Sequence, residues 1–419
     1  MANPLSSTNL SLKKAFSFSA LESIGSRVFD FIALWIVLNT LPQEDLAKFG
    51  LATASIFIFN LVFFAPETAM FKYFKEWQKN EELSKYLSSF FQFSLFKLLV
   101  HYLAACVTLH IYGDGWFFYA VIFSLITQNI QLAEISRIFF RLTLRQNTVA
   151  KYELITKIAL CLCCIILFYT SFIEVYFLIY FIWSVLTSLF WFISVRKIEK
   201  LELEPLVGVK NRIVESSIGF SFWSHISGIL TYYIYNGNLL FLEYYNASID
   251  DLALYTVINK VANLFFVIPM FFQSFVPIVL TSQEGDDKSF VKLLSVSAIL
   301  AFFQFLFFIL FGKYLASFFG VSFEQLDSFY RLGLILCSGV LFLNVTRPLS
   351  TYLMIKYNAI SVMKFVFMPT AFLASVLYLF GTKFYGVDGA SVASSLAYLY
   401  MSISLVVIYV FYRKRVKND

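Results

Sequence analysis

Residues 15–38 read AFSFSALESIGSRVFDFIALWIVL, an apolar run of twenty-four residues that carries Glu22, Arg27 and Asp30. A helix rises about 1.5 Å per residue, so this run is long enough to cross a hydrocarbon core of about 30 Å. Lys13 and Lys14 precede it. The run is too long for the apolar region of a signal peptide and lacks a small-residue cleavage site, so it reads as a first membrane helix that is retained.

The same kind of segment recurs along the chain. Further apolar stretches fall at 46–66, 86–111, 116–140, 150–170, 174–195, 213–242, 252–280, 289–311, 325–354, 359–380 and 388–412. With the first, these predict an all-α polytopic membrane protein of about twelve transmembrane helices. Composition agrees. Only 14% of the 419 residues are charged and 59% are hydrophobic. A soluble chain carries roughly a quarter charged residues, so too little polar surface is present to coat a water-facing globule. The net charge of +6 does not point to nucleic acid, because no polar stretch interleaves basic with aromatic residues.

Lysine and arginine orient the spans. If both termini are cytoplasmic, the inner loops and helix ends hold 25 of the 32 basic residues. Among them are Lys72, Lys75, Lys79 and Lys85, then Arg137, Arg141, Arg145, Lys151 and Lys157, and later Arg347, Lys356 and Lys364. The outer loops hold only Lys48, Lys313, Arg331 and Lys383. Positive loops resist translocation, so this bias predicts that both ends are cytoplasmic.

The chain also repeats itself. Glu44-Asp45-Leu46-Ala47-Lys48-Phe49 opens the second span, and Asp250-Asp251-Leu252-Ala253-Leu254-Tyr255 opens the eighth, 206 positions later. Leu144-Arg145-Gln146-Asn147 precedes the fifth span, and Ile355-Lys356-Tyr357-Asn358 precedes the eleventh, 211 positions later. Gly25 and Gly228 sit at similar depths. The order and spacing predict two parallel six-helix lobes, residues 1–205 and 206–419, related about the membrane normal.

Two six-helix lobes, a basic central loop and the acidic-Leu-Ala-x-aromatic entries resemble the multidrug/oligosaccharidyl-lipid/polysaccharide exporter superfamily. Within it the chain is similar to the Wzx-type flippases of lipid-linked O-antigen units. The resemblance covers essentially the whole chain and implies a MATE-like fold. It further implies movement of an undecaprenyl-diphosphate-linked oligosaccharide from the cytoplasmic to the periplasmic leaflet, alongside the polymerase and chain-length proteins of the same pathway.

Three basic residues remain within spans: Arg27, Lys97 and Lys260. Arg27 lies near mid-bilayer, where a cation costs about 2.5–3.5 kcal/mol on the insertion scale and must find a partner or a wet cavity. Its planar fork suits a diphosphate or an acidic sugar. The structural alternative is a pair with Asp30 at i+3 that holds the first helix against its neighbours. Lys260 is flanked by Asn259 and Asn263, whose amides suit sugar hydroxyls; the alternative is a snorkelling lysine among polar helix contacts. Lys97 shares a face with His101 and is expected to snorkel towards the cytoplasm. If Gly25 aligns with Gly228, Glu22 stands opposite His225, a pairing able to exchange a proton during transport. Glu22, Asp30 and His225 are thus candidates for ion coupling. Glu134–Arg137 and Glu153–Lys157 read as helix-surface pairs.

Pro66, Pro269, Pro277 and Pro369 are expected to kink their helices. Cys161, Cys163 and Cys164 stand in an apolar run without a second Cys or His pair at zinc spacing, and read as small packing residues rather than metal ligands. No phosphate loop is present, so ATP does not drive this chain directly, and no cofactor is expected. No catalytic Ser/His/Asp or His-Glu-x-x-His pattern stands out, which favours a transporter over an enzyme. A drug or cation antiporter of the same superfamily is the alternative. A polysaccharide polymerase fits less well, because a large outer loop is lacking.

Overall fold

The structure, a computed structural model, describes residues 12–111, 115–199, 201, 205–281 and 287–418. The expected connection at 112–114 and part of the central loop, 202–204, lie outside them. Among the described residues every regular element is helical. Long rods follow one another with short turns: α1 (Leu12–Thr40), α2 (Gln43–Ala54, continued by Ile56–Asn60), α3 (Leu83–Ile111), α4 (Gly115–Leu142), α5 (Gln146–Cys164, continued by Leu167–Thr170) and α6 (Ile173–Glu199). The second set is α7 (Phe222–Tyr244), α8 (Ile249–Leu264, continued by Val267–Thr281), α9 (Asp287–Phe318), α10 (Leu326–Leu353), α11 (368–385) and α12 (387–418). The last two are separated by Gly386, whose φ of 53° lies in the left-handed region and lets the chain reverse. This is an all-α polytopic membrane protein.

The repeat seen in sequence reappears in the packing. α1 lies on α5 and α7 on α11; α3 lies on α4 and α9 on α10; α2 lies on α4 and α8 on α10. Glu44 and Asp45 fall in the first turn of α2, and Asp250 and Asp251 in the first turn of α8. There they answer the positive end of the helix dipole. The glycines do not match in role. A side chain at Gly25 would meet Leu154 of α5, whereas Gly228 faces open space.

The two halves touch through α1, α2, α7 and α8: α2 packs on α7 and α8, and α1 on the second segment of α8. A methyl group at Gly50 would overlap Thr256, so glycine is required where α2 and α8 come closest. These four helices are also the ones that fall short of a simple test of length and apolarity. Among the described residues that test picks out α3, α4, α5, α6, α9 and one stretch, Phe323–Lys414, that contains α10, α11 and α12. The interface helices fail it because they are charged, polar or broken, and those features concentrate where the halves meet.

The breaks are local. α2 ends at Asn60, the chain unwinds over 61–65, and a short turn, Pro66–Ala69, leads into the helix Met70–Lys79. Pro66 has no N–H to give and its ring excludes the preceding turn, so the expected kink is a full interruption. α7 is preceded by the short helix Leu206–Ser216 and by a break at Ile218 and Gly219, where Gly219 takes φ 96°. Pro369 lies in a helix that runs on from Ala359, just after a π-helical turn at Met363–Phe367, so its missing N–H is accommodated by a local widening of the helix.

Candidate functional site

Arg27 projects from the middle of α1 into a polar chamber of about 300 Å³ bounded by α1, α4, α5 and α6, with Met270 of α8 closing one side. Eight charged residues line it: Glu22, Asp30, Glu134 and Glu153 against Arg27, Arg137, Arg141 and Lys157. Four acids balance four bases. Arg141 holds Glu22 at 2.5 Å and Glu134 at 3.2 Å. Arg137 holds Glu134 at 3.1 Å and pairs closely with Glu153. Lys157 reaches Asp30 at 2.7 Å and lies 4.8 Å from the centre of the Trp183 ring. Such a closed network removes the desolvation cost that each charge alone would carry.

Arg27 is the loosest member. Its distance to Asp30 is 3.6 Å, and its side chain keeps 41% of its exposure. It also lines a second space, an apolar groove of about 610 Å³ formed with Val28 and Phe31 of α1, Val261 and Leu264 of α8, and Phe307 of α9. One guanidinium therefore stands between a wet, charged chamber and an apolar groove between the halves. The expected Arg27–Asp30 pair is present but shared, since Lys157 is the closer partner of Asp30.

Several expected placements change. Arg137, Arg141 and Lys157, assigned to an inner loop and its helix ends, lie in α4 and α5 and are drawn inward by the carboxylates. Glu153 pairs with Arg137, and Lys157 with Asp30, so the expected i,i+4 pair does not form. Glu22 and His225 do not meet. Glu22 is taken by Arg141, while His225 Nε2 donates to the Asn60 carbonyl at the end of α2, 3.0 Å away. Lys97 does not snorkel. It is 9% exposed, and its Nζ donates to Phe64 O at 3.0 Å and to Gln131 Oε1 at 2.8 Å. The unwound segment of α2 supplies that carbonyl, which a continuous helix would have kept for itself.

In the other half, Lys260 of α8 crosses to α2. Its Nζ donates to Thr53 Oγ1 at 2.6 Å and lies 4.9 Å from the centre of the Phe49 ring. Asn259 is buried and reaches Asn236 of α7 at 3.4 Å, so its amide serves packing between helices. Asn263 shares the lysine's face one turn further on, in the last turn of the first α8 segment.

Arg347 was placed in an inner loop by sequence. The structure puts it inside α10, 9% exposed. Its Nε donates to Gln273 Oε1 at 2.8 Å, and its guanidinium stacks 4.8 Å from the centre of Phe266 and 5.2 Å from that of Tyr235. Two aromatic faces stabilise the cation without neutralising it. Nη1 is buried and has no hydrogen-bond partner among the described residues. Each half thus carries an arginine within a span: Arg27 beside the chamber and the apolar groove, and Arg347 against the rings of Tyr235 and Phe266.

Comparison with solved structures agrees with this architecture. The chain superposes on an outward-facing multidrug resistance MATE family transporter of the MOP superfamily with a TM-score of 0.67. The alignment has 13% identity and covers 97% of this chain and 96% of that one. The fold is the MATE-type fold. A mutant form of the Vibrio cholerae MATE transporter VcmN gives a TM-score of 0.66 at 12% identity, covering 97% of both chains. The lipid II flippase MurJ in an inward closed conformation gives 0.57 at 16% identity, covering 94% of this chain and 87% of that one. No family model matches the sequence, and no curated protein matches it.

Proposed function

We propose that this chain is a flippase that moves an anionic, lipid-linked oligosaccharide across a bacterial inner membrane by alternating access. Its two lobes, 1–205 and 206–419, would rock about the α1–α2–α7–α8 interface, with both termini cytoplasmic. The observation that carries this reading is the charge imbalance at that interface. The first half neutralises its own chamber. Arg347 and Lys260 of the second half have no carboxylate partner among the described residues. A site with surplus cations is suited to an anion, and a guanidinium can bind two phosphate oxygens at once. Arg27 between a polar chamber and an apolar groove matches a cargo with a charged head, a polar sugar and a hydrocarbon tail. An undecaprenyl-diphosphate-linked repeat unit, of an O-antigen or a similar polysaccharide, has this chemistry.

A drug or cation antiporter, the reading nearest to the multidrug resistance named for one neighbour, calls for an unpaired acid facing the cargo. The chamber acids are all paired. Deleting the gene separates the readings. Lipid-linked sugar units should accumulate on the inner leaflet while surface polymer disappears. Normal surface polymer with raised drug sensitivity would instead establish the antiporter.

A further inference from the structure

A second buried ionisable cluster lies apart from the chamber, at the interruption of α2. Glu67 stands in the Pro66–Ala69 turn, is 1% exposed, and its Oε2 has no hydrogen-bond partner among the described residues. Gln131 of α4 sits between it and Lys97 of α3, accepting from Lys97 Nζ and hydrogen-bonding the Glu67 carboxyl. Three of the carbonyls at the interruption are taken by side chains of neighbouring segments. Lys97 binds Phe64 O, His225 of α7 binds Asn60 O, and Ser221, beside the Gly219 break, binds Pro66 O at 3.1 Å. The broken segment of α2 is therefore fastened to the broken start of α7, one from each half.

We infer that Glu67 is the proton-binding site of this protein, and that loading it loosens the junction between the α2 and α7 breaks. A buried carboxylate and a buried ammonium compensate one another only while both are charged. When a proton adds to Glu67 Oε2, the carboxylate becomes a neutral acid and the Lys97 ammonium loses its counter-charge. An uncompensated buried cation draws water or shifts towards it. Lys97 cannot move without releasing Phe64 O, one of the ties that hold the unwound segment.

Ionisable groups on the neighbouring elements are engaged elsewhere. From the helix Leu206–Ser216, Arg212 donates to Ser89 Oγ at 2.9 Å and Glu215 accepts from the Tyr86 hydroxyl at 2.5 Å. From α3, His101 stacks on Phe63 and shares a hydrogen bond with Ser124 Oγ at 2.9 Å. From α4, Glu134 is held by Arg137 and Arg141. From α7, His225 donates to Asn60 O. Among the described residues, Glu67 and Glu153 are the buried acids with an oxygen that accepts no hydrogen bond; Glu153 is held by Arg137, whereas Glu67 has no ion-pair partner within contact distance. Its link to transport rests on the flippase reading above, but the site itself does not.

The test is an infrared difference spectrum of the purified full-length protein, taken between mildly alkaline and mildly acidic buffer. A band of a buried protonated carboxylic acid should appear in the wild type. It should be lost in Glu67→Gln, shifted in Glu67→Asp, and kept in Glu22→Gln, Asp30→Asn and His225→Gln. An unchanged band in Glu67→Gln, or no band in the wild type, overturns the inference; the Asp variant serves if the Gln variant does not fold. Amide protection over 57–79 and 213–225, corrected for the intrinsic exchange rate at each pH, should fall on acidification in the wild type and be low at either pH in Glu67→Gln. Protection that does not change with pH in the wild type also overturns it. If the spectra behave as expected but no lipid-linked sugar is transported, the flippase reading fails and the proton site stands.

Discussion

The two halves of this protein bury cations in opposite ways. In the first, Arg137, Arg141 and Lys157 each lie against a carboxylate from another part of the half, and four acids match four bases around the chamber. In the second, Arg347 rests on Tyr235, Phe266 and the Gln273 amide, and Lys260 on Phe49 and a threonine hydroxyl. The same topology thus carries a self-neutralised network on one side and solitary cations on the other. A closed network is built to stay together. Solitary cations stabilised by ring faces keep their charge available, which is what an anionic cargo requires.

The largest expected effect breaks the second half. Arg347→Met should lower transport of the lipid-linked cargo by more than about tenfold, the cost of one lost charge-assisted hydrogen bond. It should leave thermal stability equal or higher, because no carboxylate is orphaned. Transport is read in a deletion strain at matched membrane levels of protein. A large loss of stability would show that Arg347 has an undetected acidic partner.

The first half should respond in reverse. Arg141→Met leaves Glu22 buried without its partner and should cost about 3–5 kcal/mol, seen as a lower unfolding midpoint in detergent. Adding Glu22→Met should restore much of that loss, and a double-mutant cycle measures the coupling. Additive losses would mean that the network is not the closed unit described here.

Where the halves meet, Gly50→Ala should cost about 1–3 kcal/mol by forcing α2 away from Thr256. Thr256→Ala in the same chain should recover part of it. The smallest effect is expected for Lys260→Met, which forfeits the hydrogen bond to Thr53 but relieves a buried charge. Its stability should change by less than about 1 kcal/mol. Because Thr53 lies on α2 and Lys260 on α8, the readout that matters is transport, which should fall while stability holds.

Much of the fold was legible because apolar length, positive-charge bias and turn position are local properties. The acidic entries of α2 and α8 were recognisable from six residues each, and both place their acids in the first turn of a helix. The site was legible only in part. Arg27 stood out because charge deep inside one span has no local explanation. Arg137, Arg141, Lys157 and Arg347 lie near span ends, where a basic residue reads equally well as a loop charge. Only the carboxylates of other helices, or the rings of Tyr235 and Phe266, reveal that they turn inward. Glu67 was hidden by Pro66. A proline in an apolar run signals a bend, but not that the freed carbonyls of 60–66 will be claimed by Lys97, His225 and Ser221. The Glu22–His225 pairing rested on aligning Gly25 with Gly228, and these glycines prove to face different surroundings.

The account's central claim, that Arg27 and Arg347 serve an anionic cargo, is tested most directly by equilibrium binding of a short prenyl diphosphate to the purified protein. Wild type should bind it more tightly than the matching prenyl alcohol, and Arg27→Ala/Arg347→Met should remove that preference while remaining folded. Arg27→Lys alone should keep part of it, since a point charge replaces the two-pronged guanidinium. Equal binding of diphosphate and alcohol by the wild type, or an undiminished preference in the double variant, would contradict the claim.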